Sequence, residues 1–328
     1  MDEPVKLEEK VLKEMKPALV YKHNKDLINS LDISKDGKYM VTCGDDGQVN
    51  FYDLDRGEKI NTYIMDIEYG ISLIKFTNHN KTVLVATRKD NTHSILYWSL
   101  HDNVILAKFL GHSSKILWIE PNSLFSSFVS ISDDHEARVW DYHKVESIAL
   151  FTECQAAWND NTGKVLACSH TPKNSNEKYI YLYNLEEEVF DKPFSSLPIN
   201  DAQSIGHIKF MKFSYEGKYI LWVDSLHNTL IIDAFIGGIL TKLASSADEL
   251  RSSPIVADFT PCSKYVAIAL NKKISFWEWE TNKEIPIEQH HPKHINALKF
   301  NTEYCMVASA CQNVIIWTPD IPTDKMED

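Results

Sequence analysis

Three side chains in the first half of the chain have the residue types that a serine hydrolase uses. His112 lies in "FLGHSSK", and Ser130 and Asp134 follow in "FVSISDDHEARVWDY", a stretch that contains Trp140. A histidine that accepts the proton of a serine hydroxyl, while an aspartate orients the histidine ring, would support nucleophilic acyl transfer. The same residue types can also form a buried hydrogen-bonded brace. The elements that carry these residues decide between catalysis and structure.

Short strand-like runs recur along the chain at a nearly constant spacing. Runs such as "VNFYD", "ARVWD" and "VIIWT" contain an aromatic or aliphatic anchor, often followed by an acid. Successive anchors are 40 to 49 residues apart, close to the period of a four-stranded propeller blade. Apolar runs broken by Asp-Gly, Glu-Gly or Asn-rich turns precede most anchors and predict antiparallel strands. The sequence therefore predicts an all-β fold, a seven-bladed WD40 β-propeller. Its anchors are Tyr52, Trp98, Trp140, Tyr183, Ile232, Trp277 and Trp317.

The repeat favours a structural role for the Ser, His and Asp residues. In a WD repeat, a histidine before the first strand, a Ser or Thr on the second, an Asp in the next turn and a Trp on the third strand hydrogen-bond to one another and satisfy buried polar atoms. A catalytic triad is not expected to recur at a blade period. The brace predicted in the third blade consists of His112, Ser130, Asp134 and Trp140. A degraded copy predicted in the first blade consists of His23, Thr42, Asp46 and Tyr52.

The two ends of the chain predict how the ring closes. The last blade supplies only three strands before "TPDIPTDKMED" breaks off in prolines and acids. The missing outer strand is expected from "PALVYKH", residues 17–23, because closure removes exposed sheet edges. The predicted organisation is a charged N-terminal tail over residues 1–16, a propeller over 17–319 and an acidic C-terminal tail over 320–328. A short amphipathic helix near residues 5–15 is the alternative to a solvated tail.

Composition narrows the classes of function. A hydrophobic fraction of 44% supports a sizeable core, and the net charge of −12 disfavours direct binding of duplex nucleic acid. The six cysteines are scattered without a C-x-x-C pair, which indicates reduced thiols and no zinc site. The first residues lack the apolar segment of a secretory signal, and no run is long enough to span a membrane. We expect no metal, no cofactor and no enzymatic activity.

Four segments resemble one WD-repeat family more closely than they resemble generic repeats. They are "EYGISLIKFTNHNKTV", "LYWSLHDN", "LIIDAFIGG" and "ASACQNVIIWTP". All four are similar to the Swd-two family (WD-repeat protein eighty-two), and "SLHDN" and "IDAF-x-G" are the most specific patterns. The resemblance implies a non-catalytic nuclear subunit, monomeric within a hetero-complex. That family serves the COMPASS histone H3 lysine methyltransferase, and also phosphatase and cleavage/polyadenylation or termination complexes that act on RNA polymerase II.

The resemblance also implies partners. They are the large scaffold or catalytic subunits of a histone methyltransferase and of a polymerase II-linked phosphatase or polyadenylation complex. The family is linked to the phosphorylated polymerase II tail as well. A WD-repeat adaptor of another assembly, such as a ubiquitin-ligase substrate receptor, is the alternative function.

Docking is expected on the face that carries the brace hairpins and the loops leading into the first strands. Tyr69 beside Gly70 is the candidate peptide anchor, and Arg88 and Lys115 are candidate phosphate contacts. Acidic turns on this face suit a basic segment of the partner. The candidate residues of the face are Asp26, Asp45, Tyr69, Arg88, Lys115 and Asp133.

Overall fold

The computed structural model describes residues 7–65, 70–88, 92–171, 177–187, 190, 192–199, 205–243, 255–287 and 290–319. These residues form seven four-stranded antiparallel sheets, the blades of a closed propeller. The prediction of a seven-bladed all-β propeller is therefore confirmed. No helix in the described ranges is long and apolar enough to cross a bilayer.

Helix α1 and strand β1 come first in the chain, and three complete blades follow. The N-terminal elements are α1 (Glu9–Lys13) and β1 (Met15–Tyr21). Blade 1 consists of β2 (Ile28–Ile33), β3 (Tyr39–Gly44), β4 (Gln48–Asp53) and β5 (Glu58–Ile64). Blade 2 consists of β6 (Ile71–Phe76), β7 (Thr82–Thr87), β8 (Ile95–Ser99) and β9 (Val104–Phe109). Blade 3 consists of β10 (Ile116–Pro121), β11 (Ser127–Ser132), β12 (Glu136–Asp141) and β13 (Ser147–Thr152).

The remaining blades follow the same order, except that the last one ends after three strands. Blade 4 consists of β14 (Cys154–Asn159), β15 (Val165–His170), β16 (Lys178–Asn184) and β17 (Ser195–Ile199). Blade 5 consists of β18 (Ile208–Phe213), β19 (Tyr219–Asp224), β20 (Thr229–Asp233) and β21 (Ile239–Leu243). Blade 6 consists of β22 (Ile255–Phe259), β23 (Tyr265–Leu270), β24 (Lys273–Glu278) and β25 (Lys283–Pro286). Blade 7 consists of β26 (Ala297–Phe300), β27 (Val307–Ala310), β28 (Val314–Pro319) and β1.

The strand order in each blade creates two distinct faces. The first strands of neighbouring blades, such as β2 and β6, contact each other and surround a central channel. The fourth strands lie outermost, and β5 is accordingly exposed along most of its length. We call the end with the loops into the first strands and the turns between second and third strands the loop face. The end with the hairpins between first and second strands is the hairpin face.

Apolar packing between neighbouring blades holds the ring together. One cluster joins Val41 and Phe51 of blade 1 to Ile74, Val85 and Trp98 of blade 2, and similar clusters occur at other boundaries. Each buried aliphatic or aromatic side chain contributes roughly 1.5–3 kcal/mol relative to exposure. Blades without a polar brace are therefore still stabilised by their neighbours.

The N-terminus closes the ring, as predicted. Strand β1 pairs antiparallel with β28, from Met15 opposite Pro319 to Tyr21 opposite Val314. The strand begins at Met15 rather than at residue 17, and helix α1 lies in the segment expected to be a tail. Leu12 of α1 is fully buried together with Met15 of β1 in the cluster of blades 6 and 7. Residues 1–6 and the expected C-terminal tail, 320–328, lie outside the described residues.

Candidate functional site

The four residues predicted to form the brace of blade 3 are in direct contact. His112 precedes β10, Ser130 lies on β11, Asp134 lies in the next turn and Trp140 lies on β12. His112 Nδ1 is 3.0 Å from Asp134 Oδ2, and His112 Nε2 is 2.7 Å from Ser130 Oγ. The indole Nε1 of Trp140 donates to Ser130 Oγ at 2.8 Å. The contacts connect one loop, one turn and two strands of the blade.

Burial sets the protonation states in this brace. Burial lowers the pKa of His112, and this effect outweighs the opposing influence of Asp134. Burial would raise the pKa of Asp134, but hydrogen bonds from the Ser113 N–H and from His112 hold it below its usual value. The imidazole is therefore neutral and the carboxylate ionised near neutral pH. His112 Nδ1–H then donates to Asp134, and the Ser130 hydroxyl donates to Nε2.

This pattern of contacts is also that of a catalytic triad, but its setting differs. Ser130 is only 1% exposed and lies in the middle of a strand whose two neighbours cover it. The N–H of Trp140 already occupies the acceptor side of the Ser130 hydroxyl. A nucleophile needs an open approach for a carbonyl carbon and nearby donors for the oxyanion. The geometry therefore fits the structural interpretation of these residues.

Blade 1 requires a correction of one residue. Asn24 occupies the place predicted for His23: it is buried and precedes Thr42 by 18 residues (42 − 24), the separation of His112 and Ser130. His23 is exposed, and its ring lies against Tyr52 at 6.1 Å between centroids. Among the described residues, no hydrogen bond joins His23 to Thr42 or to Asp46. Asp46 instead accepts the backbone N–H groups of residues 25 and 48 at 3.2 and 3.1 Å. Asn24 Oδ1 accepts a hydrogen bond from Asn50 Nδ2 at 3.3 Å.

The sequence analysis missed a second brace, in blade 7. His291 Nε2 is 2.7 Å from Ser309 Oγ, and Trp317 Nε1 donates to the same oxygen at 2.6 Å. Cys311 replaces the aspartate, with its Sγ 3.3 Å from His291 Nδ1. The available signal was the separation of 18 residues between histidine and serine, the same as in blade 3. The brace was missed because the short hairpin between β27 and β28 contains no acid.

The stability of the protein is expected to fall in acid because of His291. Burial lowers the pKa of His291 from 6.5 to about 4, and Cys311 supplies no negative charge to oppose this shift. Between these two values the unfolded chain binds a proton that the folded chain does not. The contribution of His291 is thus fully present above the unfolded pKa of 6.5 and is lost as the pH falls towards about 4. We expect a loss of up to about 3 kcal/mol over this range.

Urea unfolding at a series of pH values measures this effect. His291→Gln is expected to be less stable at neutral pH but to show a flatter dependence on pH than the native chain. His143→Gln, at an exposed position, should leave the pH profile unchanged. A pH profile of His291→Gln that parallels the native profile would exclude His291 as the source.

Backbone hydrogen bonds bring the predicted docking residues to the loop face. The N–H of Asp133 donates to the carbonyl of Lys115 at 2.9 Å, and the N–H of Asp45 donates to that of Leu27 at 3.0 Å. The N–H of Arg88 donates to the carbonyl of Gly70 at 3.1 Å in the same way. In each of these three blades, the turn between the second and third strands therefore contacts the loop into the first strand.

Two of these residues neutralise each other. Arg88 forms an ion pair with Asp45 across blades 1 and 2, and Asn29 Nδ2 donates to Asp45 Oδ1 at 2.8 Å. Each charge therefore already has an intramolecular partner, and the hypotheses that Arg88 contacts a phosphate and that Asp45 attracts a basic segment stay predictions. Asp26, Lys115 and Asp133 are exposed. Tyr69 lies outside the described residues, so its role as an anchor stays a prediction.

Seven four-stranded blades, of which blades 3 and 7 contain a buried His–Ser–Trp brace, define the chain as a WD-repeat β-propeller. Residues 15–53 match the family described as WD domain, G-beta repeat. The chain is 30% identical to WD repeat-containing protein 82 of Drosophila melanogaster over 321 aligned residues. The alignment covers 96% of this chain and 98% of that protein. It is 28% identical over 317 residues to COMPASS component SWD2 of Saccharomyces cerevisiae, covering 89% of this chain and 91% of that protein.

A third relative is named as a component of a Set1 complex. Set1 complex component swd2 of Schizosaccharomyces pombe is 28% identical over 223 residues, which cover 66% of this chain and 60% of that protein. The chain belongs to the family of WD repeat-containing protein 82 and Swd2. The family resemblance inferred from the four sequence segments is confirmed.

Proposed function

We propose that this protein is a non-catalytic scaffold subunit of a Set1/COMPASS-type histone methyltransferase complex in the nucleus. The observation that carries the proposal is similarity to COMPASS component SWD2 over 89% of the chain, which extends far beyond a single repeat. In this role the propeller holds an extended segment of a larger subunit. Service in phosphatase and 3′-end processing complexes of RNA polymerase II is the finer part of the proposal, and it rests on the family resemblance alone.

The braces support a non-catalytic role. Ser130 and Ser309 each accept an indole N–H and contact a histidine, and both are buried. Their hydroxyls are thus committed to the fold. Removal of one polar group from such a network leaves its partners without a hydrogen bond. Each unsatisfied buried group costs about 1–3 kcal/mol of stability. Enzymatic use of either hydroxyl would disrupt the blade that contains it.

The chemistry of the loop face supports docking of a basic, partly apolar segment. Asp26 and Asp133 are exposed carboxylates on this face. Leu27, Leu110 and Leu226 lie in its loops and are 38%, 49% and 61% exposed. Apolar contacts supply affinity at such an interface, whereas opposite charges raise the association rate and orient the partner. The net charge of −12 adds long-range attraction for a basic segment.

Paired charge reversals on the loop face test the proposed docking. Asp26→Lys combined with Asp133→Lys should reduce recovery of Set1-type methyltransferase subunits from native extract by about tenfold at low salt, because the steering charge changes sign. The melting temperature should stay unchanged, since neither residue belongs to a brace. Asp102→Lys is the matched control, because its side chain is 66% exposed in a turn at the opposite face.

Two outcomes distinguish an error in the proposed docking surface from an error in the proposed complex. Full retention of methyltransferase subunits by the double variant would place docking outside the loop face. Recovery of ubiquitin-ligase subunits in place of methyltransferase subunits would favour the alternative adaptor function.

A further inference from the structure

A ring of charged residues surrounds the central channel near the hairpin face. The second-to-last residue of each first strand forms this ring, so the strand register places all seven at one level. In blade order the residues are Asp32, Lys75, Glu120, Trp158, Lys212, Asp258 and Lys299. Acids and lysines alternate around the ring except at Trp158. A ring with an odd number of positions cannot alternate completely, and blade 4 supplies the uncharged position.

Two aspartates of the ring are fixed by neighbouring blades. Asp32 Oδ2 accepts the backbone N–H of Phe76 at 3.0 Å, and Asp258 Oδ2 accepts that of Phe300 at 3.0 Å. Asp258 also accepts a hydrogen bond from Lys212. These carboxylates cannot turn towards other cations without breaking contacts between blades.

Two lysines of the ring share one carboxylate at longer distances. Lys75 Nζ and Lys299 Nζ lie 3.7 and 3.5 Å from Asp32 Oδ1, longer than a strong charge-assisted hydrogen bond. Asp32 Oδ1 itself has no hydrogen-bond partner among the described residues. Lys75 Nζ also lies 4.2 Å over the ring of Trp118. Hydrogen-bonding capacity of the two ammonium groups therefore remains available to a ligand.

Glu120 is the third acid of the ring, and its environment differs from that of the two aspartates. In the described ranges, the hydrogen bond to its carboxylate comes from Trp118 Nε1, at 3.3 Å. Burial raises the pKa of Glu120, although lysines of the ring oppose the shift. Burial thus favours uptake of a proton by the Glu120 carboxylate. The charged and titratable groups that face it from other elements are Asp32, Lys75, Tyr142, Lys212, Tyr215 and Lys299.

The ring borders a cavity that opens at the hairpin face. The cavity has a volume of about 340 Å³, within the size range of small-ligand sites. Lys75, Glu120, Lys212 and Lys299 line it together with the phenol of Tyr215. Lys75 and Lys212 are at most 6% exposed, so a bound group would interact with them in a largely water-excluded setting. Electrostatic attraction is stronger there than at a surface.

We propose that this cavity binds one carboxylate group between Lys75, Lys212 and Lys299 while Glu120 takes up one proton from solvent. Within the ring, with all groups ionised, three lysines balance three acids. Protonation of Glu120 leaves one excess positive charge, and a bound carboxylate neutralises it. A phosphate dianion would leave an excess negative charge, and an ammonium or guanidinium group would add a positive charge beside three lysines. The charge count fits a monoanion, and we assign a carboxylate, either a free small acid or an Asp or Glu side chain, as that group.

Titration calorimetry with acetate tests the site directly. In two buffers with different ionisation enthalpies, we expect uptake of up to one proton per acetate bound to the native chain. Affinity should fall by about tenfold for each pH unit above the pKa of Glu120. Glu120→Gln is expected to bind acetate without proton uptake and with little dependence on pH, because the amide is uncharged and similar in shape. A short amidated peptide with one Glu, compared with its Gln counterpart, tests the side-chain source.

Lysine variants separate this site from general anion effects. Lys75→Met should lose acetate binding, whereas Lys218→Met should retain it, because Lys218 pairs with Glu216 on an exposed hairpin. If Lys75→Met does not fold, the proton count of Glu120→Gln is decisive. The proposal is overturned if acetate binds neither the native chain nor Glu120→Gln, if Lys75→Met binds normally, or if inorganic phosphate binds more tightly than acetate. A carboxylate could bind here whether or not the loop face docks a partner.

Discussion

Removal of residues 1–21 is expected to abolish the monomeric propeller. The deletion removes β1, the fourth strand of blade 7, and α1, which covers the cluster between blades 6 and 7. The unpaired edge of β28 and the uncovered apolar surface should then drive aggregation. Size-exclusion chromatography should show large soluble aggregates or no soluble protein.

Smaller changes separate the helix from the strand. Leu12→Ala should cost about 2–4 kcal/mol in free energy of unfolding, because Leu12 is fully buried beside Met15. Lys10→Ala, at an exposed position of the same helix, is the control and should change stability by less than about 0.5 kcal/mol. A deletion of residues 1–14 should remain monomeric but melt at a lower temperature. A monodisperse and stable protein after deletion of 1–21 would contradict the role of β1 in closure.

Replacement of Lys212 by Met is expected to destabilise the protein by about 3–5 kcal/mol. Lys212 and Asp258 form an ion pair in which both side chains are less than a tenth exposed. Loss of the lysine leaves the Asp258 carboxylate buried without its hydrogen-bonding cation. Because Asp258 also holds the Phe300 N–H of blade 7, the contact between blades 6 and 7 should weaken as well. Chemical denaturation of the variant measures the change.

A double-mutant cycle isolates the pair. Lys212→Met with Asp258→Asn should recover part of the lost stability, since the second change removes the uncompensated charge. Lys218→Met is the matched surface control: Lys218 and Glu216 are about half exposed, and such pairs contribute about 1 kcal/mol or less. Additive effects of Lys212→Met and Asp258→Asn would show that the two groups do not interact energetically.

The anchors were predictable because each blade needs a large apolar residue at the same depth of the third strand. Their spacing of 40 to 49 residues therefore survived where the polar brace did not. The blade 3 brace was predictable because it retains all four residue types. The blade 7 brace was missed because Cys311 stands where a carboxylate was expected. In blade 1, His23 was assigned to the brace because a histidine usually occupies the brace position before the first strand. In the structure the buried residue at that position is Asn24.

The charged ring was not predicted, although a sequence signal exists. Lys75, Lys212, Asp258 and Lys299 each stand directly before a phenylalanine that ends a first strand. A charge inside an apolar strand is unfavourable unless a partner compensates it. The partners lie on other blades, about 40 or more residues away in the chain, so only the closed ring brings them together. The pairing of Arg88 with Asp45 escaped sequence reasoning for the same reason, at a separation of 43 residues.

Quantitative mass spectrometry of proteins that copurify with the intact native chain tests the proposed function most directly. The account predicts that the catalytic and scaffold subunits of a Set1-type histone methyltransferase are recovered in near-stoichiometric amounts, and that they remain bound after moderate salt washes. A census without any histone methyltransferase subunit, obtained from extract in which such a complex is present and intact, would contradict it.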